Sequence, residues 1–483
     1  MLKESGILLH ISSLPNKYGI GSIGKEAYKF VDFLYKSKQT LWQILPIGPT
    51  SYGDSPYSSL SAYAFNPYFI DLEWLVELGL LLKEELPEPL NNNFVDYNYL
   101  FNTRYALLHK AFLRREGFND EFNKFIAEED YWLNDYSIYM VLKKEQENKP
   151  WYQFYDDFKY RNPNSLEWLS NEYKDQILEY KFIQFLAFKA WFELKAYANK
   201  KNIKIIGDMP IYCAYDSADV WANPSDFYLS ENLTPIEVAG CPPDYFNSDG
   251  QLWGNPLYNW QKMKKDKYSF WVKRVKHSLK LFDVLRIDHF RGFAGYYSIP
   301  FGSSTAKYGH WEKGPGLSLF KAINKECPNS NIIAENLGFL TKDVHKLLKD
   351  SGYPGMNIFQ FELGDRKNIP LKKGYPYNNV FYTGTHDNQT IMSFYHELNY
   401  QDKKIINKLC NIGFKDKENL KIIEFAMKQE SKYVIVPLQD YLGLTDSEGR
   451  MNIPATPTGN WRYMAKADDF SKELSDYLIS IKR

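Results

Sequence analysis

Eight short apolar runs, each followed by turn residues and a longer amphipathic stretch, organise this 483-residue chain. They are Ile7 to Ile11, Leu41 to Pro46, Ile203 to Asp208, Val284 to Asp288, Ile332 to Glu335, Met356 to Phe361, Val380 to Thr383 and Tyr433 to Pro437. Such runs alternating with helical patterns are the signature of a parallel sheet with crossover helices. Eight of them predict an α/β fold, a (β/α)8 TIM barrel. A barrel of this kind takes ~250 residues, so the chain has a surplus. It falls mainly between the second and third runs and between the third and fourth. We therefore expect one barrel domain over residues 1–483 with two insertions, a mainly helical one at about 75–200 and a loop-rich one at about 209–262 that forms part of a substrate groove. In the first, Leu178, Phe182, Phe185, Phe188 and Phe192 recur at helical spacing and predict a core-facing stripe. The second is rich in Asp, Asn, Pro, Trp and Tyr with little periodicity, as expected of long loops that carry function.

Composition removes several function classes. Lys plus Arg and Asp plus Glu both number 59, and 44% of residues are hydrophobic, which excludes the disorder signature and a net field. No basic cluster lacks nearby acids, so no nucleic-acid partner is expected. The cysteines at 213, 241, 327 and 410 form no CxxC pair and have no His at metal-ligand spacing, so no metal and no disulfide framework is expected. The first apolar run is too short for a signal peptide, and no run approaches the ~18 apolar residues of a membrane span. A cytoplasmic protein with no membrane association is the expectation; the sequence leaves the oligomeric state open.

Three strands end in or near a carboxylate: Asp288 in Leu285-Arg286-Ile287-Asp288-His289, Glu335 in Ile333-Ala334-Glu335-Asn336, and Asp387 in Thr383-Gly384-Thr385-His386-Asp387-Asn388. In a barrel, residues at the C-terminal ends of strands converge on one mouth. Side chains alternate along a strand, so Arg286 and Asp288 face the same way. Three acids in one mouth suit glycoside chemistry. Retaining cleavage needs one carboxylate as nucleophile and a protonated carboxyl as acid and then base. Arg286 is expected to favour ionised Asp288, while neighbouring carboxylates keep Glu335 protonated. Each acid alone reads more readily as a cap of the next helix or the partner of a surface Arg; the three together, each among polar neighbours, point to catalysis.

Beyond these acids the chain resembles the amylomaltases, 4-α-glucanotransferases of the disproportionating type in the α-amylase clan. The segments that carry the resemblance run nearly end to end: SGILLHISSLP at 5–15, GDSPYSSLSAYAFNPYFIDL at 53–72, GDMPIY at 207–212, PPDYFNSDGQLWGNPLYNW at 242–260, RIDHFRGF at 286–293, IAENLG at 333–338, GTHDN at 384–388, and the tail segments PLQD and NIPATPTGNWR. The resemblance implies Asp288 as nucleophile, Glu335 as general acid/base and Asp387 as the group that grips sugar hydroxyls. It also implies Tyr57, Asp208, Trp253, Arg286 and His386 around the sugar at the cleavage point, His289 and Asn460 nearer the acceptor, and Tyr245 and Phe246 in an aromatic loop over the groove. Asn336, beside the acid/base, is assigned to the substrate site as well. The implied partners are maltooligosaccharide and α-1,4-glucan donors and acceptors, with no cofactor.

Three positions depart from the family pattern: Asn336 stands where Asp is usual, Ser58 replaces a common Gln and Ala455 a common Gly. Loss of the charge at 336 should bias the proton affinity of Glu335 downward. The expected reaction is transfer of α-1,4-glucan segments between maltooligosaccharides through a covalent glucosyl-enzyme. The alternatives are an α-glucan hydrolase and, from another class, a non-catalytic glucan-binding protein.

Overall fold

The computed structural model describes residues 3–51, 53–90, 93–243, 248–338, 340–362 and 375–483. Its twelve strands are β1 (Glu4–Leu8), β2 (Leu41–Gln43), β3 (Lys204–Met209), β4 (Glu237–Cys241), β5 (Gln251–Pro256), β6 (Val284–Ile287), β7 (Gly295–Pro300), β8 (His310–Lys313), β9 (Ile332–Ala334), β10 (Gly355–Ile358), β11 (Asn379–Tyr382) and β12 (Tyr433–Pro437). Eight of them form one parallel sheet in the order β10-β11-β12-β1-β2-β3-β6-β9. Its two ends meet where the Ala334 N–H donates to Pro354 O at 2.9 Å and the Met356 N–H to Asn336 Oδ1 at 2.6 Å. The result is a nearly closed (β/α)8 barrel. Strand residues are buried almost without exception, as a sheet covered by helices outside and side chains inside requires.

Two strand boundaries differ from the apolar runs. Ile11 belongs to a single 3-10 turn, Ile11–Ser13, rather than to β1, and β10 stops at Ile358 because Phe359–Phe361 turn in the same way. Both turns remain largely buried, so apolar composition alone could not mark where the strand ended.

Between β2 and β3 the chain is mostly helical, including Tyr97–Leu113, Asn119–Glu145, Pro163–Glu172 and Lys174–Lys200. Phe182, Phe185 and Phe188 are buried, with Leu178 and Phe192 packed partly buried against the same core. The last helix is tied to the barrel by polar bonds that replace lost water: Gln184 bonds both the N–H (2.7 Å) and C=O (2.9 Å) of Phe65, and Trp191 Nε1 donates to Leu281 O at 3.1 Å. Gln184 thereby braces the segment after β2 that carries Tyr57.

The stretch at 209–262 is not all loop. It holds β4 and β5, which join β7 and β8 in an antiparallel sheet ordered β5-β4-β7-β8. Val238, Tyr297, Ile299 and Ala306 give that sheet a small core of its own. Its outer strand β8 is exposed throughout, while β5 brings Trp253 to the barrel mouth.

Candidate active site

The C-terminal ends of β3, β6 and β9, adjacent in the sheet, present the buried half of the site. Asp208 on β3 and Arg286 on β6 stand opposite each other in register. Arg286 Nη1 lies 2.6 Å from both oxygens of Asp208, and its Nη2 lies 2.9 Å from Asp288 Oδ1. One guanidinium thus bridges two carboxylates, a geometry that its planar fork allows and a Lys could not reproduce. Arg286 is 3% exposed and Asp208 4%, so neither charge could sit there without the other.

Directly after Asp288 the chain reverses at His289, a non-glycine residue in the left-handed region (φ 48°). That turn aims the His289 N–H at Glu335 Oε2, 2.7 Å away, while the Leu337 N–H donates to Glu335 Oε1 at 2.7 Å. The residue following one acid therefore holds the other acid, which couples β6 to β9 at the mouth. His289 also meets Trp253 edge-to-face at 4.9 Å, and burial holds its ring neutral, with a pKa down at about 3.

The second half is built on loops. His386 stacks on Tyr57 (4.9 Å, 21°), and both lie 5.8 Å from Trp461. The Tyr57 hydroxyl donates to Asp208 Oδ2 at 2.7 Å. Burial lowers the pKa of His386 and favours the neutral ring. His386 Nδ1 lies 3.4 Å from the Tyr57 hydroxyl oxygen and Nε2 3.3 Å from Asp387 Oδ1, and the carboxylate, the stronger acceptor, favours the ring proton on Nε2. Asp387 also accepts from Asn452 Nδ2 at 2.6 Å, and its backbone carbonyl from Arg450 Nη2 at 3.0 Å.

Proton affinities follow from burial. The Asp288 carboxyl is pushed up to about 8, first by burial and then by Asp208, Glu335 and Asp387, with Arg286 pulling the other way. Burial raises Glu335 as well, against the pull of Arg286 and its two backbone N–H bonds. Arg286 favours the ionised form of Asp288, as its place two residues before it predicts. Burial and the surrounding carboxylates outweigh it, so the cluster retains a proton shared between interacting acids.

Part of this constellation borders a cleft of about 520 Å³, lined among others by Tyr57, Ser58, Trp253, Asp288, His386, Asp387, Asn452, Ala455 and Trp461. Its volume and its mix of aromatic faces with convergent polar groups suit a short oligomeric ligand. Among the expected site residues, Asn336 turns its side chain to the β9–β10 seam, and Asn460 bonds Ile453 and Thr456 within its own loop. Tyr245 and Phe246 lie outside the described residues. Asn452, Arg450 and Trp461 were not singled out by sequence reasoning. Their signal was the tail segment NIPATPTGNWR, which holds Asn452 and Trp461. Among the described residues no group of three or more His, Cys, Asp or Glu is placed to hold a metal ion, and no helix is long and apolar enough to cross a membrane.

Comparison with known proteins agrees with this geometry. A family model described as 4-alpha-glucanotransferase matches residues 9–468. A 4-alpha-glucanotransferase of Clostridium butyricum is 45% identical over 98% of this chain and 99% of that protein, and one of Aquifex aeolicus is 42% identical over 98% and 97%. The structure of an amylomaltase from Streptococcus agalactiae in complex with acarbose superposes with a TM-score of 0.95 at 36% identity, covering 99% of this chain and 98% of that one. An amylomaltase from Corynebacterium glutamicum shares the fold, with a TM-score of 0.77 at 16% identity over 100% and 75%. With a barrel whose adjacent strands set Asp288 on Arg286 and Glu335 on the His289 N–H, and with near full-length likeness to these enzymes, the chain belongs to the 4-alpha-glucanotransferase family.

Proposed function

We propose that this protein transfers α-1,4-glucan segments between maltooligosaccharides by a retaining double displacement in the cleft described above. The observation that carries the assignment of roles is the joint bracing of Asp288 and Glu335: one sits on Arg286, the other on the N–H of the residue following the first. Asp288 attacks the anomeric carbon as Glu335 gives its proton to the departing glycosidic oxygen. The bond to the leaving glucan breaks and a glucosyl ester to Asp288 forms. Glu335, now ionised, takes the proton of an acceptor hydroxyl as that oxygen displaces the ester. The contact with Arg286 favours Asp288 as the ionised partner, leaving the shared proton to Glu335.

Around this pair, Asp387, with its oxygen oriented by Asn452 and His386, grips sugar hydroxyls. Tyr57, His386 and Trp461 form an aromatic wall beside it, and Asp208 sets Arg286 and Tyr57. Trp253, at the cleavage point, packs edge-to-face on His289, which lies nearer the acceptor, and aromatic rings of this kind stack on the apolar faces of glucose. Transfer wins over hydrolysis when the acceptor fills these subsites and excludes water. Donor and acceptor are both α-1,4-glucans in this reading, and the protein works in the cytoplasm, a location that a sequence of four cysteines with no CxxC pair supports.

Incubation with maltotriose alone tests the reaction. Glucose and a ladder longer than three units, at constant total reducing ends, is the expected result. Shorter products with rising reducing ends would make it a hydrolase.

A further inference from the structure

Strand β9 is laddered to β6 on one side, but on its other side Ala334 supplies a single backbone bond to the segment before β10. The next tie across that seam is a side chain: Asn336 Oδ1 accepts from Met356 N–H at 2.6 Å. The approach is close because residue 355 is glycine; a Cβ there would stand 2.7 Å from Asn336 Oδ1. Asn336 commits its side-chain oxygen to this seam. It is flanked by the two ends of one hydrogen bond, the Glu335 side chain before it and the Leu337 N–H after it, 2.7 Å from Glu335 Oε1.

We propose that Asn336 is a positioning residue for Glu335: by fastening β9 to β10 at the barrel seam it fixes the turn 335–337 and holds the Leu337 N–H on the Glu335 carboxyl. Without the tie, the turn is free to rotate about residue 336, and Glu335 loses one of the two donors that aim it. Reactions that depend on placement lose about 10²-fold for a displacement near 1 Å, so a residue with no sugar contact can carry a large share of the rate. The inference rests on Glu335 being the acid/base.

The test compares the full-length protein with Asn336→Ala, Asn336→Asp, Gly355→Ala and Glu335→Gln, following maltotriose transfer over a range of pH. Asn336→Ala should lower kcat by about 10-fold or more with KM little changed. It should also move the alkaline limb of the rate profile to higher pH, because the lost N–H bond favoured ionised Glu335. Asn336→Asp keeps an oxygen where Met356 N–H needs it and should restore kcat to within about 3-fold of the parent. Gly355→Ala, which pushes on the same oxygen from β10, should reproduce the loss and the shift, and stands in if Asn336→Ala does not fold. A parental rate and pH limb in the folded alanine variant at either position, or no rescue by Asn336→Asp, would overturn the proposal. Full transfer by Glu335→Gln would instead remove the acid/base reading itself, and this proposal with it.

Discussion

The two halves of the barrel mouth solve the same problem with different materials. The half that carries Asp208, Arg286, Asp288 and Glu335 sits on the ends of three adjacent strands, its charges tied to each other and to backbone N–H groups. The half that carries Asp387 sits on loops, where the carboxylate is 48% exposed, accepts from Asn452, and is backed by an Arg450 bond to the Asp387 carbonyl, both from a segment more than sixty residues away in sequence. Bond-making groups must be placed within fractions of an ångström, and strands do that best. Groups that grip hydroxyls must admit and release a chain, and loops allow it.

The largest effect that sharpens this contrast is at Asp288. Asp288→Asn should abolish transfer, a fall of about 10⁴-fold or more, measured by glucose release from maltotriose. The same change should stabilise the fold at alkaline pH. The native cluster of Asp288 and Glu335 holds its shared proton to about 8, whereas unfolded carboxyls release theirs near 4. Between those values the folded state binds more protons, so its stability falls as pH rises. Denaturant midpoints should therefore show Asn ahead of Asp at pH 8, by ~2 kcal/mol given that a quarter of the side chain meets solvent, and level with it at pH 3.

Removing a buried partner in the same half should cost both properties. Asp208→Ala leaves Arg286 buried with one carboxylate instead of two and should destabilise the protein by ~3 kcal/mol, besides reducing transfer. Circular dichroism melts and rates on maltotriose check the pair of effects. Across the mouth the pattern should reverse. Asn452→Ala removes a bond to a charged oxygen and should lower kcat/KM by about 10-fold, with an unchanged melting curve because the loop carries little of the fold. If Asn452→Ala proved as destabilising as Asp208→Ala, the division of labour drawn here would fail.

The smallest change concerns Ala455, in a cleft loop with φ 63°, a conformation that glycine adopts without penalty. Ala455→Gly should relieve at most ~1 kcal/mol, seen as slower proteolysis of the 453–460 loop with transfer rates near the parent.

The same division marks what the sequence made legible. The eight barrel strands stood out because a strand buried on both faces must be a continuous apolar run, and Val434, Ile435 and Val436 are all fully buried. The three acids stood out because strand ends converge. The antiparallel sheet did not, for physical reasons. In β4, Glu-Val-Ala-Gly-Cys breaks its alternation at a register shift between Val238 and Gly240, and β8 is His-Trp-Glu-Lys with every residue exposed. Burial that does not alternate in β4 and is missing in β8 leaves no apolar period. Nor could spacing reveal that Asn452 serves Asp387, or that Asn336 serves the seam, since a neutral amide has no pattern until its partner is known. The balance between Arg286 and burial at Asp288 was likewise hidden, because burial depends on every element around the mouth.

The central claim is that Asp288 forms the covalent intermediate and Glu335 handles the proton. The direct measurement is to treat Glu335→Gln, which slows release of the intermediate, with an activated fluorinated α-glucosyl donor that needs no acid, and to locate the adduct by mass spectrometry of peptides. One fluoroglucosyl ester on Asp288 is the predicted result. An ester on Asp387 or Asp208, or turnover with no adduct and inverted product, would contradict the account.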